Sequence, residues 1–147
     1  LCNLLSKEKN NLICIFGARG QSSLSYHIKK YYPELNFLDC VGLFSIPELI
    51  DVVSTVDLVV SYDSGLLHIG ASLNVKTIGL YGCTDPFITW VYPLNSRKKI
   101  LRRVANESCV DSFGLYKNHM DLEKTCINNL SVEEVFKSIK GLVKLNA

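Results

Sequence analysis

The stretch DLVVSYDSGLLH, residues 57–68, decides the fold. Its first half is a nearly continuous apolar run, which is typical of a strand buried on both faces of a parallel sheet. Its second half turns at Gly65 and continues with helical spacing, so a helix is predicted over residues 64–73. A buried strand that leads directly into a helix is the repeating unit of α/β proteins.

The same alternation extends outward in both directions. Strands are predicted at residues 12–16, 36–40, 57–62, 76–81 and 99–104, and helices at residues 21–32, 45–53, 64–73 and 131–143. Residues 12–16 form a second continuous apolar run, which predicts another strand buried on both faces. Ser45 and Ser131 are each followed three residues later by a glutamate, the capping-box spacing that starts a helix. The pattern predicts one Rossmann-like domain over residues 1–147, with a doubly wound parallel sheet.

The composition limits the class of protein. With 48% hydrophobic and 20% charged residues and a net charge of +2, the 147-residue chain is not disordered. No apolar run approaches the roughly 20 residues that span a membrane. The Lys and Arg residues are scattered, so no nucleic-acid partner is predicted. None of the six cysteines lies in a C-x-x-C motif, which argues against a zinc ribbon and favours a reducing, cytoplasmic setting. Whether Cys109 and Cys126 pair stays open.

The start of the central predicted helix suits an anion. Ser64 is a good N-cap residue, and Gly65 lets another group come close to the backbone. The free amides of Gly65, Leu66 and Leu67, together with the helix dipole, favour a phosphate or pyrophosphate. His68 follows Ser64 by one turn on the same face and can add a donor. The alternative is an ordinary capped helix with a histidine packed beneath a loop.

Two more loops follow predicted strands, and parallel strands bring such loops to one edge of a sheet. Gly82 permits a sharp exit from its strand, and Thr84 and Asp85 offer a hydroxyl and a carboxylate. As a lone motif, however, Thr-Asp-Pro is usually a turn. Gly17 opens a glycine-containing loop that suits a ribose or a base, and Arg19 in that loop either meets a phosphate or is solvated.

In this order, the motifs resemble glycosyltransferase family 9, the ADP-heptose:lipopolysaccharide heptosyltransferases. Members of the family show D-[S/T]-G-x-x-H-x-A after a buried strand, then G-x-T-D-P after the next strand, then an aromatic residue and proline. Here these are DSGLLHIGA at 63–71, GCTDP at 82–86 and Tyr92-Pro93. Late cysteines before a final Ser-Val-Glu-Glu-Val helix, at 131–135, are similar too. The resemblance covers nearly the whole chain, and the ordered set is more specific than any of its parts.

The resemblance implies the C-terminal, donor-binding half of a GT-B fold. It implies an inverting, metal-independent transfer of a heptose from ADP-heptose to a lipid-linked core sugar, with no cofactor. It also implies that Ser64, Gly65, Leu66 and His68 hold the diphosphate, while Asp63 orders that loop or meets the sugar.

Several of the family's features lie outside this chain or differ in it. The ribose-binding acidic residue of the family falls near Gln21 or Ser22 here, so the ribose contact differs. A phosphate-contacting lysine and the general base are implied upstream of Leu1, so the chain is expected to be an inactive fragment of a longer protein. The other half would bind the lipid-linked acceptor, which implies a place at the inner face of the bacterial inner membrane. Without an upstream strand, residues 12–16 would expose an apolar edge, and self-association is expected.

Two other classes of function stay open. Another GT-B enzyme, such as a UDP-sugar epimerase or an N-acetylglucosaminyltransferase, tends to have a second glycine and a glutamate after Asp-Ser-Gly, where this chain has Leu66-Leu67-His68. A non-catalytic flavodoxin-like or receiver-like module would need an acidic cluster after residues 12–16, and none is present there. The sequence shows no readable pair of carboxylates for acid–base hydrolysis.

Overall fold

The computed structural model describes residues 1–8, 11–21, 23–82, 84–89, 95–103 and 126–143. Its helices are α1 (Cys2–Leu5), α2 (Ser23–Tyr31), α3 (Ile46–Ser54), α4 (Gly65–Ser72), α5 (Pro86–Thr89) and α6 (Val132–Leu142), with a 3₁₀ turn at Arg19–Gln21. Its strands are β1 (Cys14–Gly17), β2 (Leu38–Val41), β3 (Leu58–Tyr62), β4 (Lys76–Tyr81) and β5 (Lys98–Arg102). Every pairing of these strands is parallel, which confirms the predicted α/β class.

The chain divides into two compact units. The first includes Leu1–Asp51 and the second spans Val52–Val143, so the boundary falls within α3. That residues 1–147 form one domain stays a prediction. No helix in the described part of the chain is long and apolar enough to cross a membrane.

The first unit contains a two-stranded sheet in which Cys14 of β1 is in register with Leu38 of β2. β2 begins at Leu38 and not at residue 36, because the Leu38 amide makes the first ladder bond, to the carbonyl of Ile13 at 2.8 Å. The prediction that residues 12–16 are buried on both faces is wrong. All four residues of β1 are half-buried, and Leu12 is 67% exposed, since β1 has one strand neighbour among the described residues.

Polar contacts fix α2 to β2 within the first unit. The buried Ser25 hydroxyl donates to Asp39 Oδ1 at 2.6 Å, and Lys29 Nζ lies 3.7 Å from Asp39 Oδ2. Gly42, with φ at +70°, closes the loop after β2, and a side chain there would place Cβ 2.9 Å from the Arg19 Cα. Gly42 is therefore required both by its backbone angle and by the turn that packs against it.

The second unit contains a three-stranded sheet in the order β3-β4-β5. β4 is central, and four of its six residues are buried. α4 packs against this sheet at Gly70, where an added Cβ would lie 2.9 Å from Val59 Cγ2. Among the described residues of this unit, the buried apolar ones are Val53, Val59, Leu67, Ala71, Val75, Ile78, Tyr81, Leu101, Cys126, Val135 and Ile139. The packed core therefore lies around β4.

Both predicted helix caps are present, in different forms. At α6, Ser131 Oγ accepts the Glu134 amide at 3.1 Å. At α3, Glu48 Oε2 accepts both the Ser45 hydroxyl at 2.6 Å and the Ser45 amide at 2.7 Å. These hydrogen bonds from Ser45 lower the pKa of the Glu48 carboxyl. Side-chain capping of this kind explains why the starts of α3 and α6 are visible in the sequence.

Candidate functional site

The loops after β3 and β4 lie at one edge of the second sheet. The two strands are parallel and in register, with Tyr62 of β3 opposite Leu80 of β4. Their carboxyl ends therefore come together, as the sequence predicts, and the residues that follow each strand share that edge. One loop leads into α4 and the other into α5.

The first turn of α4 presents its backbone amides without a side-chain cap from Ser64. Ser64 is at the N-cap position in extended conformation, and its carbonyl accepts the His68 amide at 3.3 Å. Its hydroxyl lies 2.8 Å from Ser61 Oγ and does not cap the helix. Ser64 is thus the N-cap residue that the sequence predicts, but its side chain makes no capping hydrogen bond, because its hydroxyl contacts Ser61 instead. The amides of the first turn are left to other acceptors.

The fold does not require a glycine at position 65. An added Cβ there would meet nothing within 4 Å, and its φ is not in the left-handed region. Five residues later on the same helix, Gly70 has an added-Cβ distance of 2.9 Å to Val59 and is needed for packing. The open space at Gly65 adjoins the amides of the first turn, where a ligand can come close to the backbone.

His68 contacts Asp63, an interaction that the sequence reasoning missed. His68 Nε2 lies 3.2 Å from Asp63 Oδ1, and the side chains are 36% and 16% exposed. The carboxylate accepts from the ring, which leaves Nδ1 as the ring nitrogen with which His68 can meet a ligand. Helical spacing does not reveal this pair, because Asp63 lies in the loop before α4. The signal available was an acidic residue just ahead of a helix that presents a histidine in its second turn.

Tyr81 lies beneath the start of α4, and the sequence reasoning did not identify it as part of the site. It packs against Leu67, and both side chains are buried, whereas Leu66 is half-buried. Burial raises the pKa of Tyr81 to about 12, although a hydrogen bond involving Thr89 opposes the shift, and the charge of Asp63 adds to it. The phenol therefore stays neutral at ordinary pH and supports the site from below.

The Asp85 carboxylate contacts other groups of the protein, at the start of α5 and on β5. Its Oδ1 accepts the Phe87 amide at 2.9 Å, which caps the short helix α5, and its Oδ2 lies 3.7 Å from Arg102 Nη1. The carboxylate predicted to face a ligand is thus engaged by protein groups, which supports the turn interpretation of Thr-Asp-Pro. Gly82 is buried, and Thr84 is half-buried in the same loop.

Gly17 and Gln21 lie close together in the first unit, at the loop that follows β1. Gln21 Oε1 accepts the Ala18 amide at 2.9 Å, and an added Cβ at Gly17 would lie 3.0 Å from the same oxygen. The Gln21 side chain therefore folds back on its own loop, and Gly17 makes room for it. Arg19 is exposed in this turn.

Some predicted features fall elsewhere. Ser22, Cys109 and the Tyr92-Pro93 pair lie outside the described residues, so a Cys109–Cys126 bond stays open, and Cys126 is buried. Within the described ranges there is no group of three His, Cys, Asp or Glu side chains placed to hold a metal ion.

Comparison with known proteins identifies the family. Residues 3–119 match the model of "Glycosyltransferase family 9 (heptosyltransferase)". Lipooligosaccharide heptosyltransferase 2 of Haemophilus influenzae is 33% identical over 98 residues, which are 65% of this chain and 28% of that protein. Lipopolysaccharide heptosyltransferase 1 of Campylobacter coli is 26% identical over 97% of this chain and 40% of its own length.

Two solved structures share the fold. The E. coli ADP-heptose LPS heptosyltransferase II superposes with a TM-score of 0.71 at 18% identity, covering 96% of this chain and 38% of that one. The family 9 glycosyl transferase of Veillonella parvula gives a TM-score of 0.62 at 22% identity, over 88% and 35%. The present chain thus spans 28–40% of the length of these proteins. The structural likeness confirms the predicted parallel-sheet fold, and the match over residues 3–119 shows that the chain belongs to glycosyltransferase family 9.

Proposed function

We propose that this chain is the donor-binding part of a longer glycosyltransferase that transfers a heptose from ADP-heptose during lipopolysaccharide core synthesis. The first turn of α4 would hold the diphosphate of the donor. The observation that carries the proposal is Gly65, which faces open space beside uncapped amides although the fold has no need of a glycine there.

The diphosphate would accept hydrogen bonds from the Gly65 and Leu66 amides and from the Ser64 hydroxyl. The positive end of the α4 dipole favours a negative ligand at this place. Close approach of phosphate requires that the residue at the first helical position have no side chain, as Gly65 does.

Asp63 and His68 would act together at this site. A lone carboxylate that is 16% exposed would repel an anion bound nearby, and His68 at 3.2 Å can neutralise it when protonated. In that form, with Nε2 donating to Asp63, the ring can donate from Nδ1 to a phosphate oxygen. Asp63 therefore sets the orientation of the imidazole and need not touch the donor.

Residues outside the start of α4 would make the remaining contacts with the donor. Gly82 and Thr84 would lie along the donor at the carboxyl end of β4, whereas Asp85 would hold their loop through Phe87 and Arg102. Gly17 and Gln21 would serve the ribose or the base.

The chemistry would be an inverting displacement without a metal ion or cofactor. The acceptor hydroxyl attacks the anomeric carbon, the bond from that carbon to the diphosphate oxygen breaks, and ADP leaves with the negative charge. The α4 amides and His68 stabilise that developing charge. A base that removes the acceptor proton would belong to a part of the protein outside these residues, as would the site for the lipid-linked sugar, and catalysis would take place at the cytoplasmic face of the inner membrane.

Calorimetric titration of the chain with ADP and with UDP tests the proposal. We expect ADP to bind more tightly than UDP, and Gly65→Val to weaken ADP binding at least tenfold, or about 1.4 kcal/mol. Gly141→Val is the matched control, because an added Cβ at Gly141 in α6 also meets nothing within 4 Å. Equal ADP affinity in wild type and Gly65→Val would place the phosphate elsewhere. Tighter binding of UDP than of ADP would favour a UDP-sugar enzyme. If neither nucleotide binds, the alternative of a non-catalytic flavodoxin-like module is favoured.

A further inference from the structure

Arg102 ends β5 at the edge of the sheet where the candidate diphosphate site lies. It is in register with Tyr81, the last residue of β4. Side chains opposite each other in register lie on the same face of a sheet, and Tyr81 packs against Leu67 of α4. Ile100, two residues before Arg102 on that face, packs against the same pair. Arg102 is therefore on the face that α4 covers, at the carboxyl edge.

The protein satisfies the guanidinium of Arg102 incompletely. Its Nε is buried and has no hydrogen-bond partner in the part of the chain that the structure describes. Its Nη1 lies 3.7 Å from Asp85 Oδ2, which is longer than a hydrogen bond, and Asp85 Oδ1 accepts the Phe87 amide at 2.9 Å. The Arg102 side chain is 27% exposed. A guanidinium with five N–H donors in these surroundings is suited to bind an anion.

The neighbouring Arg103 is satisfied by the protein itself. Its Nη2 lies 2.7 Å from Glu134 Oε1 in the first turn of α6, and its Nη1 donates to the Arg102 carbonyl at 3.0 Å. The Arg103 amide continues the strand ladder by donating to the Tyr81 carbonyl at 3.0 Å. Because successive side chains of an extended strand point to opposite faces, Arg103 lies on the other face from Arg102. The ion pair with Glu134 accounts for Arg103, and no comparable pair accounts for Arg102 among the described residues.

The path of the donor across the sheet decides which phosphate Arg102 meets. α4 follows β3, and β5 lies two strands away, at about 10 Å. A donor that starts at the α4 amides and continues past Gly82 and Thr84 at the end of β4 brings its sugar-bearing phosphate toward Arg102. This is the β-phosphate, whose oxygen keeps the electron pair when its bond to the anomeric carbon breaks. A cation placed here stabilises the charge that develops on the leaving group.

We infer that Arg102 binds the β-phosphate of the donor and stabilises ADP as it leaves, while Asp85 holds the guanidinium in place before the donor binds. A guanidinium can donate two parallel hydrogen bonds to a phosphate. The inference rests on the proposed function, because it takes the diphosphate to lie at α4. It adds a permanent positive charge on β5 to a site otherwise made of amides, a hydroxyl and His68.

Calorimetric titration with ADP and with AMP, which lacks the β-phosphate, gives the first test. Arg102→Gln should weaken ADP binding at least about tenfold and AMP binding by about twofold or less. Arg103→Gln is the matched control, because it removes the same charge from the adjacent residue on the other face, and it should leave both affinities within about twofold of wild type. Equal ADP affinity in wild type and Arg102→Gln would overturn the inference. Equal weakening of ADP and AMP binding would also overturn it.

Asp85→Asn tests the same inference with the opposite sign, even if Arg102→Gln does not fold. The asparagine keeps an oxygen that can accept the Phe87 amide and removes the charge that competes for Arg102. It should therefore tighten ADP binding by about twofold to fivefold. If Arg102 only holds the loop of Asp85, Asp85→Asn weakens ADP binding instead, which would overturn the inference.

The outcome for Gly65→Val separates this inference from the proposed function. ADP binding that is weakened by Gly65→Val but not by Arg102→Gln overturns the role of Arg102 alone. A wild-type chain that binds no ADP overturns the proposed function together with it.

Discussion

The strand β1 (CIFG) is more apolar in sequence than β4 (KTIGLY), and the two strands have very different surroundings. β4 lies between β3 and β5 with α4 packed nearby, and four of its six residues are buried. β1 pairs with β2 among the described residues, and none of its four residues is fully buried. An apolar run thus identifies a strand, while its neighbours decide how far it is buried.

The same contrast separates the roles of the two units. The start of α4 rests on a packed core, in which Leu67 and Tyr81 are buried beneath the candidate diphosphate site. Such support holds binding groups in place before a ligand arrives. The loop of Gly17 and Gln21 stands on the half-buried strand β1, and its own contacts hold it together.

The largest expected effect compares the two strands directly. Ile78 of β4 is 0% exposed, so Ile78→Ala should reduce the free energy of unfolding by about 2–5 kcal/mol. Ile15→Ala, in half-buried β1, should cost about 1 kcal/mol or less. Urea unfolding followed by circular dichroism gives both values. Equal losses would mean that β1 is covered in solution as fully as β4.

The second prediction contrasts two glycines of α4. Gly70→Ala forces Cβ against Val59 and should cost about 1–3 kcal/mol of stability. Gly65→Ala meets nothing within 4 Å and should change stability by a few tenths of a kcal/mol at most. Thermal melts of the two variants provide the measurement. A substantial loss of stability in Gly65→Ala would show that the fold requires this glycine, and the evidence for a ligand would disappear.

The third prediction concerns the Asp63–His68 pair. His68→Ala should weaken ADP binding by about 1–3 kcal/mol, because a charge-assisted donor to phosphate is lost. If Asp63 acts through the ring, Asp63→Asn should weaken binding in wild type and have much less effect in the His68→Ala background. Calorimetry on the four proteins measures this coupling. Additive effects would indicate that Asp63 contacts the donor by itself, and a lowered melting temperature with unchanged affinity would make the pair structural.

The smallest expected effect depends on pH and lies in the first unit. The Ser25 hydroxyl, opposed by burial and assisted by Val41 and Lys29, lowers the pKa of Asp39 from 3.8. A carboxylate whose pKa is lower in the folded state than in the unfolded state stabilises the fold at any pH above the unfolded-state pKa. This contribution is lost as the pH falls through the folded-state pKa. Melting temperatures of wild type and Ser25→Ala should therefore converge below about pH 3.8. A difference that does not change with pH would exclude this role for Asp39.

Sequence patterns predicted the parts of the fold that local interactions determine. The starts of α3 and α6 follow from Ser45 and Ser131, and the strand–helix order follows from apolar runs. The burial of β1 was not predictable, because it depends on neighbours distant in sequence. In the site, Ser64 was predicted as the N-cap residue and Gly65 and His68 as binding candidates, whereas the contact between the Ser64 and Ser61 hydroxyls was not predicted.

The contacts of Asp63 and Asp85 could not be predicted for a related reason. Asp63 reaches a histidine on the following helix from a loop, and Asp85 pairs with Arg102 on the next strand. Both contacts depend on loop conformations, which residue spacing does not determine.

One measurement tests the diphosphate site at α4 most directly. In a ¹H–¹⁵N NMR titration with ADP, the amides of Gly65 and Leu66 should show the largest shifts, with smaller shifts at His68 and none at Gly141. Adenosine without phosphate should leave the two amides nearly unmoved, since the helix start is expected to bind the charge. If saturating ADP leaves Gly65 and Leu66 in place, or if adenosine moves them as far as ADP does, the diphosphate does not bind at α4.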